Sequence, residues 1–190
     1  MRRMRAPIGD FDSAVPAAQA ADFAGPAAEA IRAWTGAVPA DQLLYVDTDP
    51  AKADTAVFVE HYGGDARDEL YAASVNCVVV AAKRGGERTL AACLVPSAAR
   101  LDVNGVVRRQ LGARKASFAP TETAVEETGM EYGGITPIGL PEGWPVLVDA
   151  AAAELPWALI GSGRRRGKLI VPGKALAGLP GAVVLEGLGA

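Results

Sequence analysis

The chain has 190 residues, half of them hydrophobic and 22% charged, with a formal net charge of −3. That is enough chain for one domain with a real core, the balance of a folded globular protein rather than a disordered one, and no overall basic field for indiscriminate polyanion binding. The charge is uneven, with 9 Lys/Arg against 13 Asp/Glu in residues 1–99 and 10 against 9 in residues 100–190. Any contact with nucleic acid is therefore expected to be local, on the C-terminal half.

Residues 1–24 are alanine-rich and weakly patterned, and read as a loosely held N-terminal arm before a single domain over 25–190. GPAAEAIRAWTG (25–36) predicts a helix with Pro26 in its first turn and Gly36 just past its end. DQLLYVD (41–47) predicts a short strand. DPAKADTAVFVEHYGG (49–64) predicts a second helix, with Asp49 as N-cap, Pro50 at its first position and Gly63 as its stop. DARDELYAAS (65–74) predicts a third, shorter one.

NCVVVAA (76–82) and RTLAACLVP (88–96) are β-rich runs around KRGGE, whose glycines accept positive φ and mark a hairpin. DVNGVVRRQLG (102–112) predicts a helix ending at Gly112, and KASFA (115–119) a strand. PTETAVEETG (120–129) predicts a helix stopped by Gly129, with Thr123 and Glu126 at capping-box spacing. PVLVD (145–149), WALIG (157–161) and KLIVPG (168–173) read as strands, GKALAGL (173–179) as a helical turn and AVVLEG (182–187) as a last strand. Strands outnumber helices and hairpins mix with crossovers, which points to an α+β fold: a mixed sheet with helices packed against it, not a doubly wound one.

Several function classes are excluded. Two cysteines, Cys77 and Cys93, with one histidine, His61, fall short of a metal site; both cysteines sit in apolar runs and read as buried thiols in a reducing compartment. With a single histidine and no G-x-S-x-G elbow, a Ser/His or Cys/His hydrolase is not indicated. GSGRRRGKL (161–169) fails the Walker pattern twice, with Ser162 at its first glycine and Leu169 at its Ser/Thr position. What remains there is a three-arginine turn, either a solvated hairpin tip or a contact to RNA phosphates. The N-terminus is basic, but Asp10 and Asp12 precede any apolar core of a signal peptide. The run CVVVAA is far shorter than the roughly 20 residues that span a bilayer. A cytoplasmic location, with no membrane and no DNA partner, is the expectation.

YGGITPIGLP (132–141) is too stiff for a linker and too interrupted for a strand or helix. Gly133 and Gly134 leave the main chain uncovered, so a small polar group can approach it closely. Pro137 and Pro141 fix φ at their own positions and restrict the residues before them. Such a loop either presents preorganised main-chain hydrogen bonds or simply makes a tight connection.

The segment 76–172 resembles the YbaK family of aminoacyl-tRNA editing domains. The blocks that carry the likeness are, in order, NCVVVAAKRGGERTLAACLVP, LDVNGVVRRQLGARKASFAPTETAVEETGMEYGGITPIGL, PVLVD and IGSGRRRGKLIV. The resemblance implies a partly curled mixed sheet of about six or seven strands flanked by helices, working without a metal or other cofactor. It implies an enzyme that hydrolyses the ester between a wrongly attached amino acid and the 3′ end of tRNA, acting in trans, and possible contact with a synthetase. Such second sites exist because a synthetase pocket discriminates a missing methylene by only about 1–3 kcal/mol.

The family's G-x-x-x-P loop corresponds to Gly133–Pro137, so Gly133, Gly134, Ile135, Thr136 and Pro137 are implied to cradle the aminoacyl group through main-chain atoms. Water attack is assisted in that family by a ribose hydroxyl of the terminal adenosine. Members acting on mischarged prolyl-tRNA have a lysine where this chain has Asn76, which can orient a carbonyl but adds no charge. The implied catalytic set is Asn76, Gly134 and Asp149. Lys115, Ser162 and Gly163 join the substrate-binding residues, and Arg164, Arg165 and Arg166 are implied contacts to the tRNA backbone. Asp149 also reads as a turn former, and Lys115 as an exposed strand-end charge. The alternative implied by Asn76 is a module that binds aminoacyl-tRNA or a synthetase without catalysis.

Overall fold

The structure, a computed structural model, describes residues 3–190. Among these residues nine strands form two sheets. The first runs β1 (Ala14–Pro16), β2 (Leu44–Val46), β8 (Lys168–Val171), β7 (Ala158–Gly161), antiparallel throughout. The second runs β5 (Lys115–Phe118), β3 (Val75–Arg84), β4 (Glu87–Pro96), β6 (Val146–Asp149), β9 (Ala182–Leu185). Its β5–β3–β4 half is antiparallel and its β4–β6–β9 half parallel. The α+β class and the mixed sheet expected from the sequence are present, with the strands divided over two sheets. A parallel bridge between Ser74 and Leu159 brings the start of β3 beside β7, so the two sheets meet along this seam.

The pattern of side chains explains the layering. β6 is buried along its whole length and β8 beyond Lys168; such strands read as unbroken apolar runs. The α-helices among the described residues are α1 (Pro26–Arg32), α2 (Thr55–Tyr62), α3 (Arg67–Ala73), α4 (Arg108–Gln110), α5 (Thr121–Thr128), α6 (Ala150–Ala153) and α7 (Gly173–Ala177). Ile31 of α1 packs into one core with Phe23, Leu94, Val148, Ile160 and Leu169. Phe58 of α2 and Leu70 of α3 close a second with Phe11, Leu159 and Ile170. A third, around Val80, Cys93, Val107 and Leu147, lies under the second sheet. The long hairpin β3–β4 turns at Gly85 and Gly86, with φ of 57° and 90°, the conformation that a two-residue hairpin loop requires.

Four segments differ from the sequence expectations. The helix expected over 49–64 is two pieces. Asp49 caps a 3-10 turn at Pro50–Lys52 by accepting from Ala51 N, and the chain then becomes extended at Asp54 before α2 begins. The helix expected over 102–112 is a π-helical turn at Val103–Val107, capped by Asp102 through Gly105 N and Val106 N, followed by the short α4. In α5 the helix begins at Thr121 after Pro120, so Thr123 lies inside it and has no capping role. Within 3–24, where the sequence reads as a loose arm, β1 pairs with β2, and Ala14, Ala17 and Phe23 are buried. A three-residue strand has too little pattern of its own to be seen without its partner.

Candidate active site

The seam between the sheets opens into a cleft of about 420 Å³, toward the small end of ligand pockets, which run about 300–1,000 Å³. One wall is the start of β3, Ser74 to Val78, with Ser97 beyond the end of β4. The other is Leu159–Gly161 of β7 with Lys168 of β8. Ala53, Asp54, Thr55 and Phe58, together with Tyr132, Gly133 and Ile135 of the loop, complete the lining. Asn76 is exposed, and its Oδ1 accepts from Ser97 Oγ at 3.2 Å. That leaves its amide NH₂ for a ligand. The cleft therefore brings together Asn76, Gly133 and Ile135 of the residues singled out from sequence.

The rest of the loop lies behind this surface. Gly134 is buried; its N–H donates to Glu131 O at 3.0 Å, and its carbonyl accepts from Gly163 N at 2.7 Å. A Cβ on Gly134 would stand 2.3 Å from the carbonyl carbon and oxygen of Arg164, and one on Gly161 would stand 2.4 Å from Gly134 O. Loop and β7–β8 turn thus meet backbone to backbone. Gly163 extends the seal by accepting from Glu131 N at 2.9 Å. Thr136 is fully buried, its N–H directed at Met130 Sδ and its hydroxyl without a partner. Pro137 lines a different groove, with Trp34, Ile138, Trp144 and Leu179.

Ser162 is fully buried, and its hydroxyl lies 3.0 and 2.8 Å from the carbonyls of Arg164 and Arg166, so it shapes the arginine turn from inside. Each of the three guanidiniums has a partner within the chain. Arg164 lies 3.6 Å from Glu131 and Arg165 lies 3.8 Å from Asp54. Arg166 makes a bidentate pair with Asp47 at 2.7 and 2.8 Å. That hydrogen-bonded guanidinium holds the Asp47 carboxyl below its ordinary range. Asp149 does not line the cleft: one carboxylate oxygen caps α6 through Ala151 N at 2.9 Å, and the other takes Gly189 N at 2.7 Å. Lys115 is exposed at the start of β5, opposite Lys83 and away from the cleft.

Several cleft residues were not singled out by sequence reasoning, Lys168 among them. Lys168 opens β8, and its ammonium lies 5.3 Å from the centre of the Phe58 ring and 3.4 Å from Ala53 O. Burial pushes its pKa down from 10.5 to about 8; Arg165 acts in the same direction, and Asp54 opposes. The side chain has room because its neighbour across β7 is Gly161. The sequence signal was a lysine leading an otherwise apolar strand, but its direction depends on a register that only the paired strands fix. Cys77 also faces the cleft, and burial, with Cys93 adding to it, pushes its thiol well above the ordinary value; it is therefore a weak nucleophile.

Among the described residues no cluster of three or more His, Cys, Asp and Glu is placed to hold a metal ion. Among the same residues no helix is long and apolar enough to cross a membrane. The chemistry on hand is one amide from Asn76, one ammonium from Lys168, one carboxylate from Asp54, the Cys77 thiol, the Tyr132 phenol, hydroxyls from Thr55, Ser74 and Ser97, and main chain at Gly133 and Ile135.

The model of the aminoacyl-tRNA editing domain family matches residues 50–179, well over half of the chain and inclusive of every cleft residue. Solved structures share the fold. A protein from work on epitope backbone grafting by computational design aligns with a TM-score of 0.70 at 20% identity, over 88% of this chain and 97% of its own. A chain described as a "putative trans-editing enzyme for prolyl tRNA synthetase" aligns at 0.66 and 22% identity, over 86% and 97%. A third, described only as a hypothetical protein, aligns at 0.64 and 22%, over 85% and 98%.

Proposed function

The chain belongs to the aminoacyl-tRNA editing domain family, and from that premise we propose that it is a trans-acting deacylase hydrolysing the ester of mischarged tRNA. The observation that carries this reading is the cleft itself. Asn76, Gly133 and Ile135 line one space of about 420 Å³, and the thiol in it, Cys77, is held in its unreactive protonated form by burial. The exposed amide of Asn76 orients the acyl group, and the main chain at Gly133 and Ile135 holds it from the loop side. Gly134 acts one layer back, fixing the loop on the arginine turn. Water attacks the acyl carbon with help from a ribose hydroxyl of the terminal adenosine, so the RNA provides part of the machinery. The 3′ end of aminoacyl-tRNA is then the partner, and a synthetase a further one; the cytoplasm is where both are met.

Arg164 and Arg165 are the proposed contacts to the tRNA backbone. Their partners within the chain lie at 3.6 and 3.8 Å, on side chains that keep 48% and 33% of their exposure. Ion pairs of that kind contribute about 0–1 kcal/mol, so exchanging a carboxylate for a phosphate costs little. Arg166, held bidentately by Asp47, instead anchors the turn.

The test is a panel of tRNAs mischarged with alanine, serine, cysteine and threonine. At least one ester should be cleaved faster than in buffer, and Gly134→Ala should slow that cleavage by displacing the loop from Arg164. A panel in which nothing is cleaved above the buffer rate refutes the enzymatic reading. Asn76, uncharged at the cleft wall, favours one second reading, a non-catalytic aminoacyl-tRNA or synthetase binder. Stoichiometric binding of charged tRNA without turnover is its signature.

A further inference from the structure

Lys168 is the one cationic side chain lining the cleft among the described residues, and its position is costly unless something uses it. It is the first residue of a strand whose next three residues are buried, its ammonium lies over the Phe58 ring, and it lines the same cleft as Asn76. Its contact with Ala53 O is long, at 3.4 Å. An ammonium has three donors, so at least two are left to face the cleft. Asp54, also in the cleft lining, pairs with Arg165 and has a side chain 74% exposed, so it offsets the burial of the ammonium only in part.

We propose that Lys168 contacts the substrate directly, its ammonium donating to the carbonyl oxygen of the aminoacyl ester and stabilising the negative charge that forms there. The role rests on the deacylase reading. In the step, the oxygen of water bonds to the acyl carbon and the carbonyl π pair moves to oxygen, beside Lys168. Collapse restores the C=O bond and breaks the bond to the ribose oxygen. That oxygen leaves with the proton that the water gave up. Nothing is oxidised or reduced, and the products are a free amino acid and a tRNA with its hydroxyl restored. A preorganised donor aimed at such an oxyanion in a partly dry site is worth far more than in water.

The role makes the rate depend on the charge of residue 168. The charged and titratable groups around it are Asp54 at the start of α2, Arg165 in the β7–β8 turn, Cys77 on β3 and Tyr132 in the loop. Burial brings the loss of the ammonium proton down to about pH 8, whereas an arginine stays charged throughout the accessible range.

The experiment measures kcat and KM for wild type, Lys168→Met and Lys168→Arg on the best ester of the panel, from pH 6.5 to 9.5, after subtracting the buffer rate. Circular dichroism confirms that each variant is folded. Lys168→Met should lower kcat by about a hundredfold, the scale of one oxyanion donor, with KM within a few-fold. Lys168→Arg should recover part of kcat, and its ratio to wild type should climb as pH rises through about 8. The titrating α-amine of the substrate cancels in that ratio. An active wild type with Lys168→Met within threefold of it overturns this role and leaves the deacylase reading standing. So does a pH-independent ratio of Lys168→Arg to wild type. A wild type that cleaves no ester overturns both.

Discussion

Replacing Lys168 by methionine should make the protein more stable at pH 7. In the folded chain the pKa of this lysine falls from 10.5 to about 8, chiefly through burial. A shift of that size means that the protonated form is disfavoured by folding by about 3 kcal/mol, at about 1.4 kcal/mol per unit. Residual exposure, the Phe58 ring and the Ala53 carbonyl return part of this, so a net gain of about 1–2 kcal/mol is expected for a methionine that fills the same space without charge. The sign follows from proton counts. Between pH 8 and 10.5 the unfolded chain binds more protons at this site than the folded one, so stability rises with pH there. Below about pH 8 the cost is fully present; above 10.5 it has vanished. Urea denaturation of wild type and Lys168→Met at pH 7 and pH 10 checks this, because the difference between the two proteins cancels every other titrating group. The advantage of the variant should be clear at pH 7 and mostly gone at pH 10. A variant less stable than wild type at pH 7, or equally advantaged at both pH values, refutes the reasoning.

Three further outcomes are expected. Thr136→Val removes a buried hydroxyl with no partner and should raise the urea midpoint by an amount corresponding to about 1 kcal/mol; a lower midpoint shows that the hydroxyl is satisfied in solution. Asp149→Ala deletes the cap of α6 and the tie to Gly189 and should cost about 2–4 kcal/mol, with faster hydrogen exchange over residues 187–190. Arg164→Gln should reduce the salt slope of tRNA binding by about 1, whereas Arg166→Gln should lower stability and leave that slope unchanged. Equal salt slopes for wild type and Arg164→Gln count against a phosphate contact at Arg164.

Local signals carried much of the fold. The β3–β4 hairpin was legible because β-rich runs flank a Gly-Gly turn, and α5 ends at Gly129 as its C-terminal glycine predicts. The ordered blocks around GGITP all lie within residues 50–179, which the family model matches. What escaped depends on partners distant in sequence. Two aspartates, Asp49 and Asp54, each fit a helix start; the chain uses the first for a single 3-10 turn and resumes at the second. Lys168 needed the register of β8 against β7 and β2 before its direction was defined. Asp149 ends a strand in a way that suits catalysis or capping equally, and only the folded C-terminus, arriving through Gly189, reveals where its second oxygen is engaged.

The glycine contacts between the 131–135 loop and the β7–β8 turn decide which side of the cleft yields. With Gly134 pressed on the Arg164 backbone and Gly161 on Gly134 O, neither segment travels without the other, and the floor behaves as one rigid plate. The movable parts are side chains at the mouth: Tyr132, 66% exposed, and Arg165, whose guanidinium lies over Gly133. Under the proposed deacylase reading, admission of a bulky acyl chain is a matter of swinging two side chains aside, a motion of nanoseconds, and the upper limit on acyl size is set by a wall that does not stretch.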